Sequence, residues 1–249
     1  EKHYVGVAWY QRDFVVPADW KDAPLVLTLE RTHWETTVYV DGEKIGKSNA
    51  LLVPHRYVLN QINPGKHSLT IRVDNQVNIP VGVNAHSVSD HIQSNWNGIT
   101  GQIKLEKKSS VYLDDVQIYP DIQQKQIRIR MAFAGATANQ QATVRLQAFD
   151  QSEKAVSASQ KESLTIAQGV SSEANLALDK TVQLWSEFTP AVYTLQVSVS
   201  LPNGTSDEKK IDFGLREFKP NGTRFEVNGT PIFLRGTLEC CIFPLTGYP

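Results

Sequence analysis

The sequence predicts an all-β chain made of two successive blocks of strands and a shorter third segment. Three observations lead there. Apolar residues recur with period two through nearly the whole chain, and no stretch of ten residues carries a helical period. Turn signals built on Asn, Asp, Gly and Pro punctuate those runs. A polar run, Lys107-Lys108-Ser109-Ser110, stands between the two blocks as a linker.

In the first block Leu25, Leu27 and Leu29 share one face of a strand, as do Val38 and Val40. Asp41-Gly42 then supplies two residues that tolerate positive φ, and Glu43-Lys44-Ile45 follows, so a tight hairpin is expected. After a turn at Asn63-Pro64-Gly65, Leu69, Ile71 and Val73 alternate with Thr70 and Arg72. Ile103 and Leu105 alternate with lysines and close the block.

The second block opens with Val116 and Ile118 ahead of Pro120. Ile127, Ile129, Met131 and Phe133 form one alternating strand, and Val144, Leu146 and Ala148 another. The pairs Leu164/Ile166 and Leu176/Leu178 mark two more, and Tyr193 to Leu201 is the clearest of all. About seven short strands with turns every 8–12 residues is the pattern of an immunoglobulin-like sandwich, here without the cysteine pair of antibody domains. Three Asn-Gly-Thr triplets, at Asn203, Asn221 and Asn228, fit the N-glycosylation pattern, but Asn-Gly is also the preferred type I′ turn pair. We read them as turns. Beyond Phe213 a compact linker, a hairpin and an apolar strand, Ile232 to Leu234, are expected.

Composition removes several classes of function. Hydrophobic residues at 41% and charged residues at 20% describe a folded globular chain and not a disordered one. A net charge of -1 gives no basic footprint, so nucleic acid is not an expected partner. No apolar run approaches the roughly 20 residues that span a bilayer, so no membrane partner is expected either. Cys240 and Cys241 are adjacent, at a Cα spacing of about 3.8 Å, shorter than the usual disulfide range, and read as free thiols. His86 and His91 carry no metal-ligand spacing; neither a metal nor a cofactor is expected.

Several segments, taken in order, carry a resemblance. They are "WYQRDFVVPADW" (Trp9 to Trp20), "VYVDGEKIG" (Val38 to Gly46), "GKHSLTIRVDN" (Gly65 to Asn75) and "NWNGITGQIKLE" (Asn95 to Glu106). "LWSEFTPAVYTLQVSV" (Leu184 to Val199), "GLREF" (Gly214 to Phe218) and "VNGTPIFLRG" (Val227 to Gly236) continue the series. Their order and spacing resemble the amino-terminal half of glycoside hydrolase family 2, the β-galactosidases, β-glucuronidases and β-mannosidases. The resemblance implies a galactose-binding-like jelly-roll sandwich over 1–108, entered inside its first strands, and an immunoglobulin-like sandwich over 109–213. It further implies a linker and the first strand of a truncated (β/α)8 barrel over 214–249. After Arg235-Gly236 family members commonly show Asn and then His-Glu, where this chain has Thr237-Leu238-Glu239-Cys240-Cys241, a divergent pattern that leaves the sugar open.

Retaining glycoside hydrolysis needs two carboxyl groups about 5–5.5 Å apart. The resemblance puts the family's two catalytic glutamates on later barrel strands, so no catalytic residue is expected in this chain. Asp114-Asp115 and Asp207-Glu208 are neighbours in strand or turn contexts and read as solvated surface groups. Glu239, near the supposed barrel strand, has no second carboxylate to work with. The segment Asn84 to Gly98 is rich in His, Asp, Asn and Ser. In family relatives a loop from this region reaches the terminal sugar, so Asp90, His91, Asn95 and Trp96 are the candidate substrate-binding residues. The competing reading makes Trp96 a core anchor and the rest an ordinary polar loop. In "THWE" (Thr32 to Glu35), Trp34 reads as a packing residue; Trp9, Trp20 and Trp185 read as core or interdomain residues.

The expected function is the non-catalytic portion of an exo-acting glycosidase, with carbohydrate and the missing barrel of the same chain as partners. A periplasmic or extracellular setting follows from family habit. The alternative is a stand-alone carbohydrate-binding or adhesive sandwich.

Overall fold

The computed structural model describes residues 4–51, 53–77, 97–137 and 139–237. The chain divides into two compact units at Lys108/Ser109, with Ser109–Gly236 forming the second. Every sheet is antiparallel, and a 3-10 turn at Ala18–Trp20 is the single helical element among the described residues. The all-β expectation holds.

The first unit contains β1 (Val7–Val16), β2 (Leu25–His33), β3 (Glu35–Val40), β4 (Glu43–Ser48), β5 (His55–Leu59), β6 (Gly65–Asp74) and β7 (Gly98–Lys107). They form a four-stranded sheet, β1-β6-β3-β4, and a three-stranded sheet, β5-β2-β7. Leu25, Leu27, Leu29, Val38, Val40, Ile71 and Val73 fill the space between them, as their alternation predicts. Each fully buried aliphatic side chain of this kind contributes about 1.5–3 kcal/mol. The β3–β4 hairpin closes through Asp41 at φ 51 and Gly42 at φ 85, the type I′ geometry that the Asp-Gly pair favours. His67 fixes that turn from β6: its Nδ1 lies 2.6 Å from Asp41 Oδ2, while Asp41 Oδ1 accepts from the Ser68 amide at 2.8 Å.

Among the described residues one side of this sandwich is open. Among the described residues β1 pairs only with β6, and β7 only with β2. A cavity of about 710 Å³ runs between these two strands, with Tyr10, Arg12, Phe14, Ile103 and Leu105 on its walls and Leu27 and Ile71 at its floor. Tyr10 and Ile103 therefore remain 44% and 54% exposed although their strand positions face inward. Trp9 stands on the opposite face of β1, 59% exposed and 5.9 Å from the Tyr39 ring, outside the core of its unit. Of the core or interdomain reading of this tryptophan, the core half fails, because β1 turns Trp9 away from the sandwich interior.

The second unit contains β8 (Tyr112–Asp121), β9 (Gln126–Ala134), β10 (Gln140–Phe149), β11 (Gln160–Ile166), β12 (Ser171–Ala177), β13 (Tyr193–Ser200) and β14 (Ser206–Phe213). Two sheets result, β12-β9-β8 and β11-β10-β13-β14, so the chain changes sheet after β9, β11 and β12. Ile127, Ile129 and Met131 from one sheet meet Val144, Leu146, Leu195 and Val197 from the other, all fully buried. The short loop after Ser200 is a turn closed by the Gly204 amide donating to the Leu201 carbonyl at 3.0 Å, followed by Gly204 at φ 88. Gly135, at φ 75, lets the end of β9 pass against the Ser110 backbone; any Cβ there would overlap the Ser110 carbonyl oxygen.

A third, small sheet follows in the same unit: β15 (Phe218–Asn221), β16 (Arg224–Val227) and β17 (Thr230–Ile232). Its second turn is Asn228-Gly229, at φ 53 and 78, again type I′. Its first turn uses Gly222-Thr223, one residue later than the Asn-Gly reading, since Asn221 still pairs with Arg224. Asn228 is also a tether. Its Oδ1 accepts from the Glu217 amide at 2.9 Å, and its Nδ2 donates to the Trp185 carbonyl at 2.8 Å. Trp185 is held in turn by Arg216, whose guanidinium lies 4.6 Å from the ring, and by Gly214 packed against it. The expected strand Ile232 to Leu234 ends at Ile232; Phe233 and Leu234 are exposed coil. Residues 238–249, with Glu239, Cys240 and Cys241, lie outside the described residues.

Candidate functional site

The first sandwich concentrates its buried polar groups at one end. Among its described residues six, Thr32, His33, Thr36, Thr37, His55 and Asp74, are polar or charged and buried. Strand register explains why they meet. Glu35 and Val7 both stand opposite Asp74, His33 stands opposite Gly98, and Trp34 alone separates β2 from β3. The start of β1 and β3, and the ends of β2 and β6, therefore converge where the chain leaves β6 and re-enters as β7.

The innermost layer is a hydrogen-bonded chain. His55 Nε2 lies 2.5 Å from the Ala50 carbonyl and donates to it, so Nδ1 is the acceptor for the Thr36 hydroxyl, also at 2.5 Å. Thr36 Oγ1 lies 2.5 Å from the Tyr57 hydroxyl in turn. Burial pushes the His55 pKa down and the Tyr57 pKa up, so both stay neutral. The Trp34 indole N–H donates to the Asn49 carbonyl at 2.6 Å, and its ring is 2% exposed. Trp34 is a packing residue, as the sequence suggests.

Above this layer lies a charged one. Arg72 reaches Glu35 at 3.3 Å and Asp74 at 2.8 Å, and Lys47 reaches Glu35 at 2.7 Å. The carboxylates are only 13% and 11% exposed, so the cations compensate groups with little solvent of their own. A guanidinium between two carboxylates occupies the space where a glycosidic bond would have to lie. This pair is structural. Asp207 is likewise engaged, accepting from the Leu113 amide at 2.9 Å, and Asp115 accepts from Gln117 at 2.8 Å.

The outermost layer joins the two ends of the segment between β6 and β7. Asn75 Nδ2 donates to Asn97 Oδ1 at 2.6 Å and also reaches the Tyr4 carbonyl at 2.7 Å. Asn75 Oδ1 accepts from the Gly6 amide at 2.7 Å. His33 Nδ1 lies 3.3 Å from Asn97 Oδ1 and, facing an acceptor, carries the proton. Asp90, His91, Asn95 and Trp96, the candidate substrate contacts, lie outside the described residues, as does His86. What the structure adds is their platform: Asn75 and Asn97 bridge the segment's ends above the Arg72 ion pairs and the neutral Thr36–His55 hydrogen-bond chain. Sequence reasoning missed this platform. Thr36 is in phase with Val38 and Val40, and His55 with Tyr57 and Leu59, but a search for apolar alternation passes over polar residues on an inward face. Among the described residues no group of three or more His, Cys, Asp or Glu stands where it could hold a metal ion.

Comparison with known proteins gives this geometry a context. Residues 111–216 match the sequence model of Glycosyl hydrolases family 2. A β-glucuronidase of Paenibacillus borealis is 22% identical over 94% of this chain, and one from Streptococcus agalactiae is 23% identical over 95%. This chain spans about 40% of the length of each. Among solved structures, a β-glucuronidase from Ruminococcus gnavus in complex with D-glucuronic acid superposes with a TM-score of 0.75 at 19% identity. It covers 94% of this chain and 40% of its own, and at that identity the likeness is one of fold. The motifs, the matched second sandwich and the near-complete alignment agree: the chain resembles the amino-terminal β-sandwich region of glycosyl hydrolases family 2.

Proposed function

We propose that this chain is the non-catalytic β-sandwich portion of a family 2 glycoside hydrolase whose longer form removes terminal sugars from oligo- or polysaccharides. One observation carries the reading: 94% of the chain aligns with β-glucuronidases of which it spans only 40%. The first sandwich is the jelly-roll domain. Its polar end presents Asp90, His91, Asn95 and Trp96 to a sugar held by the barrel, with Asn75 and Asn97 fixing where that segment starts and stops. The second sandwich is an immunoglobulin-like spacer, a reading supported by its partition into β12-β9-β8 and β11-β10-β13-β14. Hydrolysis falls to two carboxyl groups on barrel strands beyond this chain, so the 249-residue chain by itself turns over no glycoside. A periplasmic or extracellular setting goes with the same reading.

The test compares the 249-residue chain with the product of its longer reading frame on aryl β-D-glucuronide, β-D-galactoside and β-D-mannoside. We expect release of the aryl group by the longer product alone, and the preferred glycoside identifies the sugar. Turnover by the shorter chain, or a reading frame that stops after Pro249, overturns the proposal.

A further inference from the structure

The outward face of the sheet β11-β10-β13-β14 carries a charge arrangement that the fold does not require. Register puts Lys161 directly opposite Arg145, Arg145 opposite Ser198, and Ser198 opposite Glu208, one row across all four strands. Like charges placed directly opposite each other on one face destabilise a strand pair. Here nothing offsets them: among the described residues neither Arg145 nor Lys161 takes part in an ion pair or a side-chain hydrogen bond. Glu208 lies two strands from Arg145, about 10 Å across the sheet. Lys210, opposite Gln196, adds a third cation to the same face, while Asp212 is engaged by the Thr194 hydroxyl at 2.8 Å.

Around this row the surface is hollow. A cavity of about 440 Å³ is lined by Arg145, Lys161, Gln147, Gln196, Ser198 and Glu208, with Thr143 and Ser200 beside them. That volume lies within the range of small-molecule sites. Gln147, Gln196 and Ser198 are half-buried, yet their side chains make no hydrogen bond among the described residues. They supply amide donors, amide acceptors and a hydroxyl at the depth of the cations.

We propose that this face is a binding site for an acidic saccharide, a uronate unit of an oligosaccharide. The Arg145 fork pairs with a carboxylate through two parallel N–H···O bonds, and Lys161 adds a point charge beside it. Gln147, Gln196 and Ser198 exchange hydrogen bonds with ring hydroxyls, and Glu208 accepts from hydroxyls at the far end. The lining lacks an aromatic or aliphatic floor, which disfavours a lipid or a planar aromatic ligand. The site stands whether or not the chain serves a glycosidase.

The test uses the full 249-residue chain, titrated by calorimetry with trigalacturonate, D-glucuronate, neutral maltotriose and inorganic sulfate. Trigalacturonate is expected to bind with a dissociation constant near or below about 1 mM. The Arg145→Gln/Lys161→Gln double variant should weaken it at least about tenfold. Both substituted residues are exposed, so far-UV circular dichroism should be unchanged, and relief of the repulsion should hold or raise the melting temperature. D-glucuronate binding as tightly as the trimer supports a one-residue site, and weaker binding supports one that reads a chain. Equal affinity for maltotriose, sulfate matching the trimer, no heat with any probe, or full binding by the double variant would each overturn the inference.

Discussion

Asn228 joins the β15–β17 sheet to the second sandwich, and replacing it tests that role quantitatively. Asn228→Ala removes the acceptor of the Glu217 amide and the donor to the Trp185 carbonyl, both part-buried. Each such bond contributes about 0.5–1.5 kcal/mol, so their loss costs about 1–3 kcal/mol. The backbone at 228 sits at φ 53, where asparagine is tolerated and alanine is strained by about a further 1 kcal/mol. The expected total is about 2–4 kcal/mol. Asn228→Gly loses the same two bonds without the strain and should be milder by about 1 kcal/mol. Because the small sheet opens without unfolding either sandwich, the assay is native-state hydrogen exchange read at its own strand amides. Both variants should accelerate exchange there, alanine more than glycine, while β9 and β13 exchange as before. If alanine and glycine gave the same exchange rates as asparagine, the tether would be refuted. If they accelerated exchange equally across all strands, the local character of the effect would be wrong.

Hydrogen bonding to Asp41 raises the His67 pKa above the usual histidine value, and the same bond lowers that of Asp41. The His67 contribution to stability is thus complete below the unfolded histidine value and fades as pH rises through the folded one; the Asp41 contribution fades as pH falls through its lowered value. An NMR titration of the His67 ring should show the elevated midpoint, and Asp41→Asn should return it toward the ordinary value; a midpoint insensitive to that change rules the pairing out. Gly135→Ala should destabilise the second unit by about 2–4 kcal/mol in chemical denaturation, since it adds both strain at φ 75 and overlap with the Ser110 carbonyl. An unchanged denaturation midpoint there contradicts the close approach.

How much of this was legible in the sequence depends on which physical rule governs each residue. Leu25, Leu27, Leu29, Ile127, Ile129, Met131 and Phe133 were readable because a strand with one buried side must alternate, and all seven are buried. Asp41-Gly42 was readable because few residue pairs accept two positive φ angles in succession. Ile103 obeys the alternation and is nonetheless 54% exposed, because β7 is an edge strand facing an open gap, a fact about sheet partners that no local pattern encodes. The polar end of the first sandwich was hidden for a related reason. Thr36 shares a face with Val38 and Val40, and only the arrival of His55 and Tyr57 from β5 turns a threonine into an interior group. The Arg145–Lys161 pairing, likewise, exists only once the register of β10 on β11 is known.

The open flank between β1 and β7 has a practical consequence for handling the molecule. Among the described residues, two neighbouring edge strands leave rows of backbone amides and carbonyls untaken, with an oily slot between them about 710 Å³ in volume. Such a flank recruits any extended polypeptide at high concentration, its own siblings included, and takes up fluorescent apolar dyes while the fold is still native. Lys104 and Lys107 on β7 and Arg12 and Asp13 on β1 put charge along these edges, the kind of group that discourages edge-to-edge pairing. Shelf life should therefore shorten as salt is added, the reverse of what a closed sandwich would show.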